Sequence, residues 1–197
     1  MSAAEVKKKA CGCEEPCPYS LYQMLNKCLS RTDFGGDNPR KIRYIELAKQ
    51  DIVDALNQFR DLVPDLEKFK FPDKDNEQRI TFKLKGTIPM CYRETVYNIL
   101  ISIYLSPMHP YHSPVCYVNP TEDMVIRSNE NVSEDGRVYL PYLHEWRYPG
   151  YDLTGLIQIL AMIFGEKCPV FSKKSGKTAS QSTSVNPWPT PTPMVCL

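Results

Sequence analysis

The 197-residue chain has no long apolar run, almost no net charge, only three histidines and nine glycines. Each shortage removes a class of function. A bilayer span needs about 20 apolar residues. The greasiest stretch, Leu153 to Gly165, is shorter and is interrupted by Gln158, so no membrane span is expected. Twenty-four Lys and Arg stand against 23 Asp and Glu, a net charge of +1. Without a long-range field, nucleic acid is not expected as the main partner. Lys7, Lys8 and Lys9 are followed by no apolar segment, unlike a secretory signal. A cytoplasmic, reducing setting is expected.

Cysteine is plentiful, with eight residues, but its metal-binding patterns are missing. Cys11, Cys13, Cys17 and Cys28 crowd the N-terminal region without a pair of CxxC knuckles or a nearby histidine. They read as free thiols, and neither a metal nor a cofactor is expected.

What is present divides into three parts. Residues 1–18 form an irregular, Cys-rich lead, 19–172 a folded domain, and 173–197 a flexible Ser/Thr/Pro-rich tail whose composition cannot bury enough surface to order itself. Within the domain, Leu21, Met24, Leu25 and Cys28 have helical spacing over Tyr19–Leu29. Asn38-Pro39 is a helix start. Ile45, Ala48, Ile52, Ala55, Leu56 and Phe59 then trace one apolar stripe that Pro64 ends near Leu62. Period two follows. Ile80, Phe82 and Leu84 alternate with polar residues, Val96–Leu105 keeps Ile99, Ile101, Ile103 and Leu105 on one face, and Val115–Val118 is a third strand. Asp135-Gly136 marks a turn. Asp152 caps a last helix with Leu153, Leu156, Ile157, Leu160, Ala161 and Phe164 in its stripe and Gly165 at its end. Ile159, Met162 and Ile163 widen that stripe, which predicts burial on more than one side. The order gives an α+β fold, an antiparallel β-meander flanked by N-terminal and C-terminal helices.

From Gly86 onward the chain resembles ubiquitin-conjugating enzymes. The stretches are Gly86-Thr87-Ile88-Pro89, Pro110-Tyr111-His112-Ser113-Pro114 and Gly136-Arg137-Val138-Tyr139-Leu140. Tyr97-Asn98-Ile99, the run Tyr139 to Trp146, Asp152 to Gln158 and Pro169-Val170-Phe171-Ser172 narrow the resemblance to the ubiquitin-conjugating-enzyme variant domain of ESCRT-I subunits, over about residues 39–172. It implies the ubiquitin-conjugating-enzyme-like fold without the enzyme's activity. Tyr139 stands where active members carry the nucleophilic cysteine, and a phenol cannot take the place of a thiolate in a thioester. The His-Pro-Asn motif before it is replaced by Ser128-Asn129-Glu130-Asn131, which removes the oxyanion-stabilising group. Cys91, at a strand end, and Cys116, inside a strand, are read as structural.

The resemblance implies two binding surfaces. A groove for Pro-Thr/Ser-Ala-Pro peptides maps onto Thr87, Tyr92, Tyr97, Asn98, Ile99, Thr121, Met124, Val170, Phe171 and Ser172. A polyproline-like ligand loses little entropy on binding and favours an aromatic slot with a few hydrogen-bonding groups. Leu100 and Cys168 depart from the family, which has proline at both positions. A ubiquitin-binding surface maps onto Tyr104, Tyr117 and His144, with the first two replacing a tryptophan and a phenylalanine, and the loop Phe71–Gln78 is about two residues longer than in the family. The implied role is that of a non-catalytic adaptor that sorts ubiquitinated cargo to multivesicular bodies. It would be recruited from the cytoplasm to endosomes, with Pro-Thr/Ser-Ala-Pro proteins, ubiquitin and other ESCRT-I subunits as partners. The alternative role is a regulatory partner of an active conjugating enzyme in polyubiquitin chain synthesis. The tail sequence Pro189-Thr190-Pro191-Thr192-Pro193 is a near miss to the peptide motif and reads as a proline-rich linker.

Overall fold

Alternating apolar residues and two apolar helical stripes must be buried against each other, and the chain does so with one sheet backed by helices. The structure, a computed structural model, describes residues 18–32, 41–72 and 78–173. Cys11, Cys13, Cys17, the Asn38-Pro39 helix start and the Pro189–Pro193 tail lie outside these residues. The elements run α1 (Pro18–Leu29), α2 (Lys41–Gln58), β1 (Val63–Phe69), β2 (Arg79–Tyr92), β3 (Thr95–Tyr104), β4 (Val115–Val118), β5 (Met124–Ile126), α3 (Pro141–His144), α4 (Leu153–Glu166) and β6 (Val170–Ser172). The first four strands form an antiparallel sheet in sequence order, and β5 and β6 form a separate pair.

Strand pairing puts opposite residues on the same face, so the register defines two surfaces. The inner one carries Leu66 opposite Phe82, Leu84 opposite Ile103, Ile103 opposite Cys116, and Ile88 opposite Ile99. Phe82, Leu84, Ile88 and Ile103 are fully buried there. Against them packs α4, through Leu153, Leu156, Ile157, Leu160 and Phe164, and α2 lies against α4 and joins the same core through Ala48, Ile52 and Ala55. Each large side chain removed from water contributes about 1.5–3 kcal/mol.

The ends of α4 are fixed by different devices. At its start, Asp152 accepts a hydrogen bond from Gly155 N at 2.6 Å, as a capping residue does. Asp51 of α2 adds a second acceptor. Its Oδ1 takes Leu153 N at 2.9 Å, while its Oδ2 meets Nε2 of the fully buried His109 at 2.8 Å. At its far end Gly165 lies within the helix and is not its cap; Lys167 occupies that position. The glycine is required by contact, because a Cβ there would sit 2.5 Å from the Cys91 carbonyl oxygen of β2. The Asp135-Gly136 turn is present, and Gly136 has φ 85°.

Three further expectations change. The helical stripe ends at Gln58, before Leu62, and Pro64 belongs to β1, where it pairs with Leu84 on the inner face. Strand β1 was not evident from periodicity. Met162 is 67% exposed, so the described residues cover only one broad side of α4.

Candidate functional site

Tyr139 follows a chain reversal held by Asn129, whose Oδ1 accepts from Asn131 N at 2.8 Å and Val132 N at 3.0 Å. Its own N–H donates to the Asn131 carbonyl at 2.8 Å. The ring is half-exposed, with the Arg137 guanidinium carbon 5.0 Å from its centroid. A cleft of about 1030 Å³ runs beside it, lined in part by Phe71, Tyr111, Tyr139, Leu143 and His144. Among the described residues, no cysteine or methionine lines this cleft. Cys116 is buried in β4, and burial pushes its thiol up to about 12, which suppresses the thiolate a nucleophile needs.

The outer face of the sheet carries a self-contained aromatic cluster. Phe69 stacks on Tyr104 with centroids 3.9 Å apart, and Tyr117 meets both rings edge-on at 6.1 and 5.9 Å. Phe71 meets Phe69 edge-on at 5.0 Å. Charged neighbours brace it. Tyr104 donates to Glu67 at 2.7 Å, Lys83 pairs with Glu67, and Lys85 pairs with Asp65 at 2.9 Å. These partners act on the ionisable groups. The hydrogen bond from Lys85 lowers the Asp65 carboxyl, that from Lys83, followed by Tyr104, lowers Glu67, and burial, followed by Glu67, raises Tyr104. Of the three expected ubiquitin contacts, Tyr104 and Tyr117 touch each other. His144 is exposed on α3 and lines the cleft that Phe71 also lines, so Phe71 links the two areas. Phe69 was missed by the sequence reading, and its three-residue spacing from Leu66 does not signal a strand.

The third region is the tip of the β2–β3 hairpin. Tyr92 pairs with Thr95 and Tyr97 with Met90 on the inner side, beyond the buried core. Tyr97 is 45% exposed. The edge of β3 away from β2 is covered only in part. Strand β4 pairs from Tyr104 to Ile101, and Asn119 N then donates to the Leu100 carbonyl at 2.8 Å. Backbone groups alternate sides along an antiparallel strand, so those of Asn98 face the same edge, past the end of the β4 ladder. From Asn119 the chain turns at Thr121, whose carbonyl accepts from Met124 N at 2.9 Å, into β5. Strand β6 pairs with it, Met124 opposite Ser172, Val125 opposite Phe171 and Ile126 opposite Val170. The Gly165–Cys91 contact holds the end of α4 against β2 near the hairpin tip, and β6 starts five residues after Gly165. The Cys168 thiol is turned toward the Val170 carbonyl, 3.2 Å away.

The ten expected groove residues therefore separate. Tyr92 and Tyr97 share the inner side of the tip, and Thr121 leads into the small β5–β6 sheet, which carries Met124, Val170 and Ser172 on one face and Phe171 on the other. Thr87 and Asn98 project to the opposite face of the hairpin, opposite Leu100 and Pro89. Ile99 is a correction: at 4% exposure it packs opposite Ile88 and is a core residue.

A model of the UEV domain family matches residues 38–172. The chain belongs to the UEV domain family. It is similar to the tumor susceptibility gene 101 protein of Homo sapiens, 41% identical over 133 residues, which cover 68% of this chain and 34% of that protein. It thus spans about a third of the length of that relative. The yeast Vps23 UEV domain solved with a Vps27 PSDP peptide has the same fold, with TM-score 0.56, 19% identity, and coverage of 74% of this chain and 90% of that one. A Vps23 UEV–ubiquitin complex aligns with TM-score 0.57 and 18% identity, covering 75% of this chain and 95% of the other. The four-stranded antiparallel sheet with helices at both ends is this UEV fold. Among the described residues, no helix is long and apolar enough to cross a membrane.

Proposed function

We propose that this UEV domain is a non-catalytic adaptor with two ligands, a Pro-Thr/Ser-Ala-Pro peptide at the hairpin tip and ubiquitin on the aromatic sheet face. The observation that carries the peptide site is the β3 edge at Asn98, past the β4 ladder, with exposed Tyr97 on one side and the β5–β6 pair on the other. An extended proline-rich segment lies along such an edge with its rings on the aromatics and its carbonyls toward the strand. Tyr92, Tyr97, Met124 and Phe171 supply apolar contacts, and the Asn98 backbone, Thr121 and Ser172 supply polar ones. Tyr104, Tyr117, Phe69 and Phe71 present an aromatic face to ubiquitin, with His144 at its margin. The related Vps23 structures, one with a PSDP peptide and one with ubiquitin, support both halves.

Tyr139 in the nucleophile position and the suppressed Cys116 thiol support an adaptor role over thioester chemistry. Residues 19–172 are the binding unit, flanked by the lead 1–18 and the tail 173–197. The protein is recruited from the cytoplasm to endosomes, where weak affinities for peptide and ubiquitin combine through joint engagement of cargo, in company with other ESCRT-I subunits. Fluorescence anisotropy of a labelled Pro-Thr-Ala-Pro nonapeptide against the 197-residue chain tests the peptide half. Saturable binding that is lost in a peptide with the motif scrambled is expected. Equal binding of the scrambled peptide, or no binding at millimolar protein, overturns it.

A further inference from the structure

Two arginines border the proposed groove, each set on an aromatic ring. The Arg93 guanidinium carbon lies 5.2 Å from the Tyr92 ring centroid, and that of Arg127 lies 5.3 Å from Phe171. Both side chains are exposed, and among the described residues neither forms an ion pair. Other basic side chains nearby are matched, as Lys167 is with Glu130 at 2.5 Å.

Their positions are set by the backbone. Arg127 N donates to the Pro169 carbonyl at 2.8 Å, one step beyond the Ile126–Val170 pair, so its side chain lies diagonally across from Phe171. Arg93 and Glu94 form the two-residue hairpin loop between the paired Tyr92 and Thr95, with φ 49° and 63°. Asn-Gly is the sterically easy choice for such a loop. An arginine held in the left-handed region costs about 1–3 kcal/mol, and here it is turned onto a groove aromatic. Arg93 lies two residues after Cys91, whose carbonyl faces Gly165 of α4, and Arg127 lies opposite Pro169, four residues after Gly165.

The acidic side chains of the rim fall into two groups. Glu122 and Asp123 flank the other end of β5, where Lys173 donates its N–H to the Asp123 carbonyl at 2.7 Å and its Nζ to the Glu122 carbonyl at 2.6 Å. Glu94 lies beside Arg93 in the turn, and exposed Glu166 follows Gly165 at the helix end. Arg93 and Arg127 thus each set a guanidinium that forms no ion pair among the described residues on an aromatic ring of the proposed groove.

Resting on the peptide-groove reading above, we propose that Arg93 and Arg127 are specificity-determining residues that select proline-motif peptides carrying carboxylate side chains next to the motif. The interaction is a solvent-exposed one, so its effect is modest and salt-sensitive.

The test uses three labelled nonapeptides with one Pro-Thr-Ala-Pro core and flanks of Gln, Glu or Lys, titrated against the 197-residue chain at low ionic strength. The Glu peptide is expected to bind about three- to tenfold more tightly than the Gln peptide, and the Lys peptide more weakly than both. That advantage shrinks toward unity at about 0.5 M salt. In the double variant Arg93→Gln/Arg127→Gln, checked for native amide dispersion by NMR, it falls below about twofold. In Glu94→Gln, which removes the opposing charge, it rises. Equal affinities for the Glu and Gln peptides at low salt, with both binding, overturn the selection by arginine. Failure of all three peptides to bind instead overturns the groove itself.

Discussion

The aromatic sheet face and the hairpin tip belong to the same strands but satisfy their groups in opposite ways. On the sheet face, Phe69, Tyr104 and Tyr117 hold one another, and Glu67 and Asp65 hold Lys83 and Lys85. The result is a preorganised surface whose side chains lose little freedom when a partner covers it. At the tip and beside β5, the β4 ladder stops at Ile101, Arg93 and Arg127 form no ion pair among the described residues, and the two loop residues sit at positive φ. A complete ladder makes a platform for a folded partner such as ubiquitin, whereas an incomplete one makes a slot for an extended chain. Both arise on one sheet because β4 is four residues long against ten in β3.

The difference can be broken from either side. Removing the groove aromatics with Tyr97→Ala and Phe171→Ala should weaken the Pro-Thr-Ala-Pro peptide by at least about tenfold, as loss of buried aromatic anchors does. Ubiquitin affinity should stay within about twofold, and Tyr104→Ala should reverse the pattern; anisotropy with each ligand reads both. Gly165→Ala should come next. Its Cβ meets the Cys91 carbonyl, and crowding of this kind costs about 1–3 kcal/mol. Urea denaturation should show that loss, with peptide binding impaired more than ubiquitin binding because β6 follows directly from the displaced helix end.

Smaller effects sharpen the contrast. Glu94→Gly relieves positive φ at the tip and should stabilise the fold by about 1 kcal/mol in urea titrations. The platform has an acid signature. Asp65 and Glu67 sit below their ordinary 3.8 and 4.5 because of their lysine partners. Groups lowered on folding stabilise above the unfolded value, and the contribution is lost as pH falls through the folded one. Stability should therefore decline below about pH 4.5, and Glu67→Gln should flatten the decline slightly, since the pair is exposed and screened.

Much of the scaffold was legible in the sequence. The alternation through Ile80–Leu84 and Ile99–Leu105 has one reading, and Asp152 caps its helix as its position predicts. Strand β1 was not legible because its sequence, Val-Pro-Asp-Leu-Glu-Lys-Phe, has no period-two alternation and contains a proline, while Asp65 and Glu67 find their partners in Lys83 and Lys85 on the neighbouring strand. Strands β5 and β6 have three residues each and become a sheet only through each other. Gly165 looked like a helix cap because the contact that requires it comes from Cys91, 74 residues earlier (165 − 91). Of the groove, the residue types came from the family resemblance. The core position of Ile99 and the placement of Thr87 and Asn98 on the far face follow from register, which needs the paired strand.

The central claim, two separate ligand surfaces on one sheet, is tested most directly by amide chemical shifts of the 197-residue chain titrated in parallel with a Pro-Thr-Ala-Pro nonapeptide and with ubiquitin. The account predicts two separate sets of perturbed residues, Tyr97, Asn98, Met124 and Phe171 with peptide, and Phe69, Tyr104, Tyr117 and His144 with ubiquitin. One shared set, or peptide shifts centred on the outer aromatic cluster, would contradict it.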